Sequence, residues 1–168
     1  MFEVLVFVYE NYWHGNACPE LNRLSRKLSA AGFEAEEIND ALVWLDGLNV
    51  AAQSTQLAET GLVTTPSPPT ALLACAQSTD SLRVYSVAEQ LQLGAQCLGF
   101  VCFLEGAGVL PPHMREIVID RAMAAPGEPV SLDDMKIIVL MVYWSLGKEP
   151  EALVLDELCE DAEFRVAH

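Results

Sequence analysis

Positive charge is what this chain has least of. Nine Lys and Arg stand against 24 Asp and Glu in 168 residues, a formal net charge of −15. A surface of that sign repels phosphate backbones and anionic lipid headgroups, so only a local basic patch would let nucleic acid bind. Cysteine offers no framework either. Cys18, Cys75, Cys97, Cys102 and Cys159 are odd in number and lack paired short spacing, which argues against disulfides and for a reducing, cytoplasmic setting. Cys97 and Cys102 fall about 140° apart on a helix, not on one ligand face. His14 and Cys18 could converge across a turn, but a structural zinc wants four N or S ligands, and these cysteines read better as small buried hydrophobes. His14, His113 and His168 have no neighbours that would make a Cys–His pair. A Gly-rich phosphate loop, a Ser nucleophile elbow and a metalloprotease helix are all missing. No catalytic residue, cofactor or metal is therefore expected. No stretch is expected to reach the roughly 20 apolar residues of a membrane span, and the N-terminus, with Glu3 and Glu10 and no basic flank, does not read as a signal peptide.

What is present is helical patterning in a chain that is 52% apolar, long enough for one substantial core or two small ones packed together. Residues 131–147, SLDDMKIIVLMVYWSLG, are the centre of it. Ser131 precedes Asp134 by one capping interval, Gly147 supplies a stop, and Ile137 to Leu146 carries no charge. Apolar on every side, this is a helix enclosed by other elements.

The remaining chain arranges itself around that helix. Residues 1–13 are apolar with Glu3 and Glu10 on one stripe, a helix whose valines leave a strand open. Pro19 opens a second helix to about Ala31, with Leu21, Leu24 and Leu28 on one face. Gly32 ends it, and a third helix runs from about Ala35 to Ala52 through Ile38, Leu42, Leu45 and Leu48. The short Gly-containing joint is what a helix-turn-helix requires. Residues 53–70 lose the pattern and read as a mobile loop. Residues 71–75 and 82–85 are candidate strands of a small hairpin. Ser86 and Glu89 form a capping box for a helix to about Glu105, whose second half should pack on the opening helix. Pro111-Pro112 starts another helix to about Ala125, with Met114, Ile117, Val118, Ala122 and Met123 inward and Arg115, Glu116, Asp120 and Arg121 outward. A last acidic helix is expected over 151–160. The fold class is thus mostly α: a winged-helix-like N-terminal part, residues 1–85, packed against a helical C-terminal part, residues 86–168.

The assembled pattern resembles the Smg family of bacterial proteins. It rests on Met1-Phe2, Val4-Leu5, Glu10 and Tyr12, then Ala31-Gly32-Phe33-Glu34, Ile38, Ala41-Leu42 and Trp44-Leu45. Arg83-Val84-Tyr85, Gly99-Phe100, Phe103-Leu104-Glu105 and Val109-Leu110 follow, with Arg115 to Arg121, Leu132-Asp133-Asp134, Lys136 and Leu140-Met141-Val142. Residues 50–79 depart from it, being longer and richer in Pro, Ser and Ala. The resemblance implies no catalytic residues. Its one functional hint is a gene neighbourhood shared with a protein that handles incoming single-stranded DNA.

The helix-turn-helix is the obvious candidate for groove reading, yet its second helix opens Glu34-Ala35-Glu36-Glu37 and continues through Asp40 and Asp46 without a base. Phosphate contacts dominate such affinity, and Arg23, Arg26 and Lys27 on the preceding helix are the residues that would supply them. Acidic surfaces can also imitate a nucleic-acid backbone and occupy a DNA-binding partner. Arg115, Glu116, Asp120 and Arg121 form a concentrated charged stretch that matches the family pattern, either as ion pairs of small individual worth or as a partner surface. Trp13, Trp44 and Trp144 lie on or beside apolar stripes and read as core. The expectation is a non-enzymatic protein-binding or adaptor protein, connected with DNA processing. Direct nucleic-acid binding through the helix-turn-helix, acidic mimicry and a carboxylate enzyme are the competing classes.

Overall fold

A computed structural model describes residues 1–12, 21–59, 83–127 and 129–148, and among these the protein is mostly α, with six helices and no strand. They are α1 (Phe2–Tyr12), α2 (Leu21–Ala31), α3 (Ala35–Glu59), α4 (Val87–Gly106), α5 (Pro112–Met123) and α6 (Leu132–Ser145). Trp13, His14, Cys18, Cys75, Cys159 and His168, the loop residues 60–70, the strand candidate 71–75 and the helix expected over 151–160 lie outside the described residues.

α6 is the hub that its composition demands. Ser131 Oγ accepts from the Asp134 N–H at 3.1 Å and also meets the Asp134 carboxylate at 2.6 Å. Met135 to Tyr143 are buried without interruption, because α1, α3, α4 and α5 all pack on this helix. Gly147, at φ 63°, lets the Lys148 N–H turn back to the Tyr143 carbonyl at 3.0 Å, a turn that an L-residue takes only at a steric cost. Val4, Leu5 and Val8 of α1, Leu24 and Leu28 of α2, and Ile38, Ala41, Leu45 and Leu48 of α3 join the α4–α6 residues in one contiguous core.

Several expectations change. α3 does not stop at Ala52 but runs to Glu59, so the first residues of the supposed loop are helical. The hydroxyls of Ser54 and Thr55, which suggested a loop, bond back to the Ala51 carbonyl at 2.8 and 3.0 Å and stay within the helix. Arg83 to Tyr85 form no strand. The Arg83 side chain is drawn to Glu89 and Glu116, and the Tyr85 carbonyl accepts from the Gln90 side chain at 2.9 Å in the lead-in to the α4 cap. Ser86 Oγ accepts from Glu89 N at 3.3 Å while Glu89 accepts from Ser86 N at 2.7 Å, the reciprocal capping box expected there.

α4 packs mainly on α5 and α6, and α1 turns instead to α6 and α3. It is also 20 residues long and apolar enough, by length and composition, to cross a membrane, where no such segment was expected. It is not a continuous rod. Gly94 sits at φ 63°, ψ 174° inside it, a conformation open in practice to glycine. Across the break, the Val130 N–H donates to the Gln92 carbonyl at 2.9 Å, and the Cys97 thiol donates to the Val130 carbonyl at 3.2 Å. The loop before α6 thus meets a backbone carbonyl on one side of the kink and a side-chain thiol on the other.

Candidate interaction surface

The charged run on α5 splits into two clusters. Arg115, expected outward, is 3% exposed. α5 is covered by α3, α4 and α6, leaving it a narrower outer face than its charges suggest. The Arg115 guanidinium meets the Glu105 carboxylate at the end of α4 and Glu116 Oε1 at 2.8 Å. Glu116 is shared with Arg83, whose Nε and Nη2 reach its oxygens at 2.9 and 3.0 Å; Arg83 Nη2 also holds Glu89 at 2.8 Å. The row Glu105–Arg115–Glu116–Arg83–Glu89 therefore fastens the start and end of α4 to α5. The Arg83 guanidinium lies 4.7 Å from the Tyr85 ring centroid, a cation–π contact.

The electrostatics follow that row. Hydrogen bonds from Arg83, then from the Ser86 backbone, hold the Glu89 carboxyl down at about 2. Glu89 in turn raises Arg83 above its already high ordinary value. For Glu116, burial works upward, but bonds to Arg83 and Arg115 outweigh it and the carboxyl sits below its usual range. Burial, with the neighbouring Cys102 thiol 3.7 Å away, pushes the Tyr85 hydroxyl up to about 12. Burial likewise raises Cys97. Both glutamates are thus held ionised, as structural ion-pair partners are, rather than poised near neutral pH like a general acid.

The second cluster lies between α3 and α5. Arg121 meets Asp120 at 2.7 Å, and its guanidinium lies over Gly47, where an added Cβ would come within 1.9 Å of Nη1. Trp44 Nε1 donates to the Arg121 carbonyl at 2.9 Å, confirming this Trp as core; Trp144 is half-buried. Met123, expected inward, is 38% exposed. Arg23, Arg26 and Lys27 are all exposed on α2, with Lys27 Nζ 5.0 Å from the centroid of the Tyr12 ring. Cys97 is buried as expected, whereas Cys102 is exposed. Among the described residues no group of three or more His, Cys, Asp or Glu is placed to hold a metal ion.

A family model described as "Protein of unknown function (DUF494)" matches residues 1–168, and curated proteins called "Protein Smg homolog" match over the full length. The chain belongs to the Smg family. It is 58% identical to the Smg homolog of Leptothrix cholodnii and 56% identical to that of Methylibium petroleiphilum, each over 100% of both chains. The Bordetella avium homolog is 48% identical over the same full coverage. No solved structure matches the chain.

Two features of this Smg chain escape sequence reasoning. Arg83, Glu89 and Glu105 were visible only as a family match, a capping residue and a helix end; their meeting is tertiary. The other is the outer side of α4, where Val87, Leu91 and Phe103 are 73%, 72% and 65% exposed, and Ala88, Ala95, Gln96, Gly99 and Cys102 are exposed beside them. Glu89 and Glu105, the only charged residues of α4, are both drawn into ion pairs, so this long outer side carries no free charge.

Proposed function

We propose that the protein is a non-enzymatic, cytoplasmic protein-binding adaptor, connected with DNA processing as the family resemblance implies. The observation that supports it is the uncharged outer side of α4 in a chain of net charge −15. Val87 and Leu91 are exposed one turn apart on this side; exposed apolar patches mark protein contacts, and charge is depleted at the centre of such contacts. The basic residues support the same reading, since Arg83, Arg115 and Arg121 are engaged by carboxylates of the chain itself. Capture from native lysate is the test. A partner retained by the wild-type chain and lost with Leu91→Asp plus Phe103→Asp supports the reading; equal capture by both, or none by either, overturns it.

Direct nucleic-acid binding is the second reading, favoured by the exposed Arg23, Arg26 and Lys27 on the first helix of the α2–α3 unit. It takes the N-terminal part as winged-helix-like through its α2–α3 pair alone, since Arg83 to Tyr85 form no wing strand. A low-salt gel shift with single- and double-stranded DNA separates the two. Salt-sensitive binding weakened by Arg23→Glu, Arg26→Glu and Lys27→Glu would favour nucleic acid.

A further inference from the structure

We propose that the outward face of α3 docks a basic amphipathic helix of a partner protein. This goes beyond the protein-binding reading, which rests on α4, and names a second surface with its own partner chemistry. Glu36, Asp40, Val43, Asp46 and Val50 are all exposed, and at about 100° per residue they fall within one arc of about 120°. Val43 and Val50 are 66% and 62% exposed, seven residues apart, so they stand about 10.5 Å apart along the axis. That is the two-turn repeat at which an amphipathic helix presents its own apolar residues.

The charge around those anchors selects the partner. Asp120 is carried to the edge of the face by its bond to Arg121, whose guanidinium spreads over Gly47 between the two valines in sequence. Four carboxylates (Glu36, Asp40, Asp46, Asp120) against one guanidinium (Arg121) leave a local balance of −3. Among the described residues, Asp120 alone of the four is ion-paired, to Arg121. An anionic ligand is repelled here, and a wholly apolar one would leave the carboxylates desolvated. A helix with apolar residues two turns apart and Lys or Arg on either side satisfies both anchors and charges. α3 has no Lys or Arg of its own to offset these carboxylates, so the complement of its face is a basic protein surface.

The experiment uses the full chain and a short fluorescein-labelled helical peptide with Leu at two-turn spacing and Lys elsewhere, followed by fluorescence anisotropy over a salt series. A scrambled peptide of identical composition measures generic attraction to an acidic protein. Val43→Ser with Val50→Ser leaves the charge unchanged, and circular dichroism confirms that the fold survives. Asp40→Asn with Asp46→Asn is compared with Glu3→Gln with Glu10→Gln, the same charge change on exposed residues of α1. The expected result is binding weakened at least about fivefold by the scrambled peptide and by the valine pair. The Asp40/Asp46 pair should also weaken it more than the α1 control. Equal affinity for the scrambled peptide, indifference to the valine pair, or equal loss with the α1 control would overturn the proposal. Lysate capture that survives every α3 variant, with the peptide indifferent to them, sinks this inference alone; no capture through α4 sinks the broader reading.

Discussion

Arg115→Met and the carboxylate pair Glu105→Gln/Glu116→Gln disturb the same ion cluster from its two sides, and they are expected to differ. Arg115 is 3% exposed, whereas Glu105 and Glu116 retain 31% and 47%. Removing both carboxylates strands a guanidinium that water barely reaches, and an uncompensated buried charge costs about 3–5 kcal/mol. Removing the guanidinium leaves two carboxylates that water can solvate, one of them still bonded to Arg83. Methionine meanwhile keeps much of the buried aliphatic stem, so that loss is about 1 kcal/mol or less. Equilibrium urea unfolding reads the difference. With a slope of about 2 kcal/mol per molar, the carboxylate pair should lower the midpoint by about 2 M and Arg115→Met by about 0.5 M at most. Adding Arg115→Met to the carboxylate pair should recover most of the loss, since no charge then remains to be stranded. An Arg115→Met variant as unstable as the carboxylate pair, or a triple variant worse than the double, would refute this account of the cluster.

Met141 is wholly enclosed in α6. Met141→Asp should abolish cooperative unfolding in circular dichroism, while Met141→Ala should cost about 2–5 kcal/mol. Glu89, held at about 2 in the fold against about 4.3 in an unfolded chain, contributes stability that is present above pH 4.3 and lost as pH falls toward 2. An acid titration of Glu89→Gln should therefore be flatter over that window than the wild-type curve. Gly47→Ala forces the Arg121 guanidinium aside but adds helix propensity of about 0.5–1 kcal/mol, so the melting temperature should move little. Gly94→Ala, at φ 63° and ψ 174°, should instead cost about 1–3 kcal/mol, measured by the same melt.

The parts of the fold legible in the sequence were those announced by local chemistry. Ser131 with Asp134 and Ser86 with Glu89 marked two helix starts because their side chains bond to backbone within one turn, and Gly147 marked an end because few other residues turn that way. The errors lie where local composition and tertiary packing disagree. Ser54 and Thr55 looked like loop, yet their hydroxyls found a carbonyl inside α3. Arg115 looked exposed because it is charged, yet α3, α4 and α6 enclose α5 on most sides and two glutamates make that burial tolerable. Met123 fell on the apolar stripe but is the last residue of α5, where it is only partly covered. Cys102 looked like core because its helix is apolar throughout, and only the packing of α4 on α5 and α6 reveals which side faces out. The proposed partner surfaces were the least legible, because a patch exists only once neighbouring helices have taken their places.

The break at Gly94 also bears on how such a chain can change over generations. In an unbroken helix, inserting or deleting one residue rotates everything beyond it by about 100°, turning core positions outward along the whole remaining length. Here the Val130 clasp separates the two halves of α4. A length change between Val87 and Leu93 is absorbed at the glycine, and Cys97, Val101 and Leu104 keep their seats in the core. The cost of such a change falls instead on the N-terminal half, where Glu89 would turn away from Arg83 or Leu93 from the core, while the half beyond the glycine stays in register.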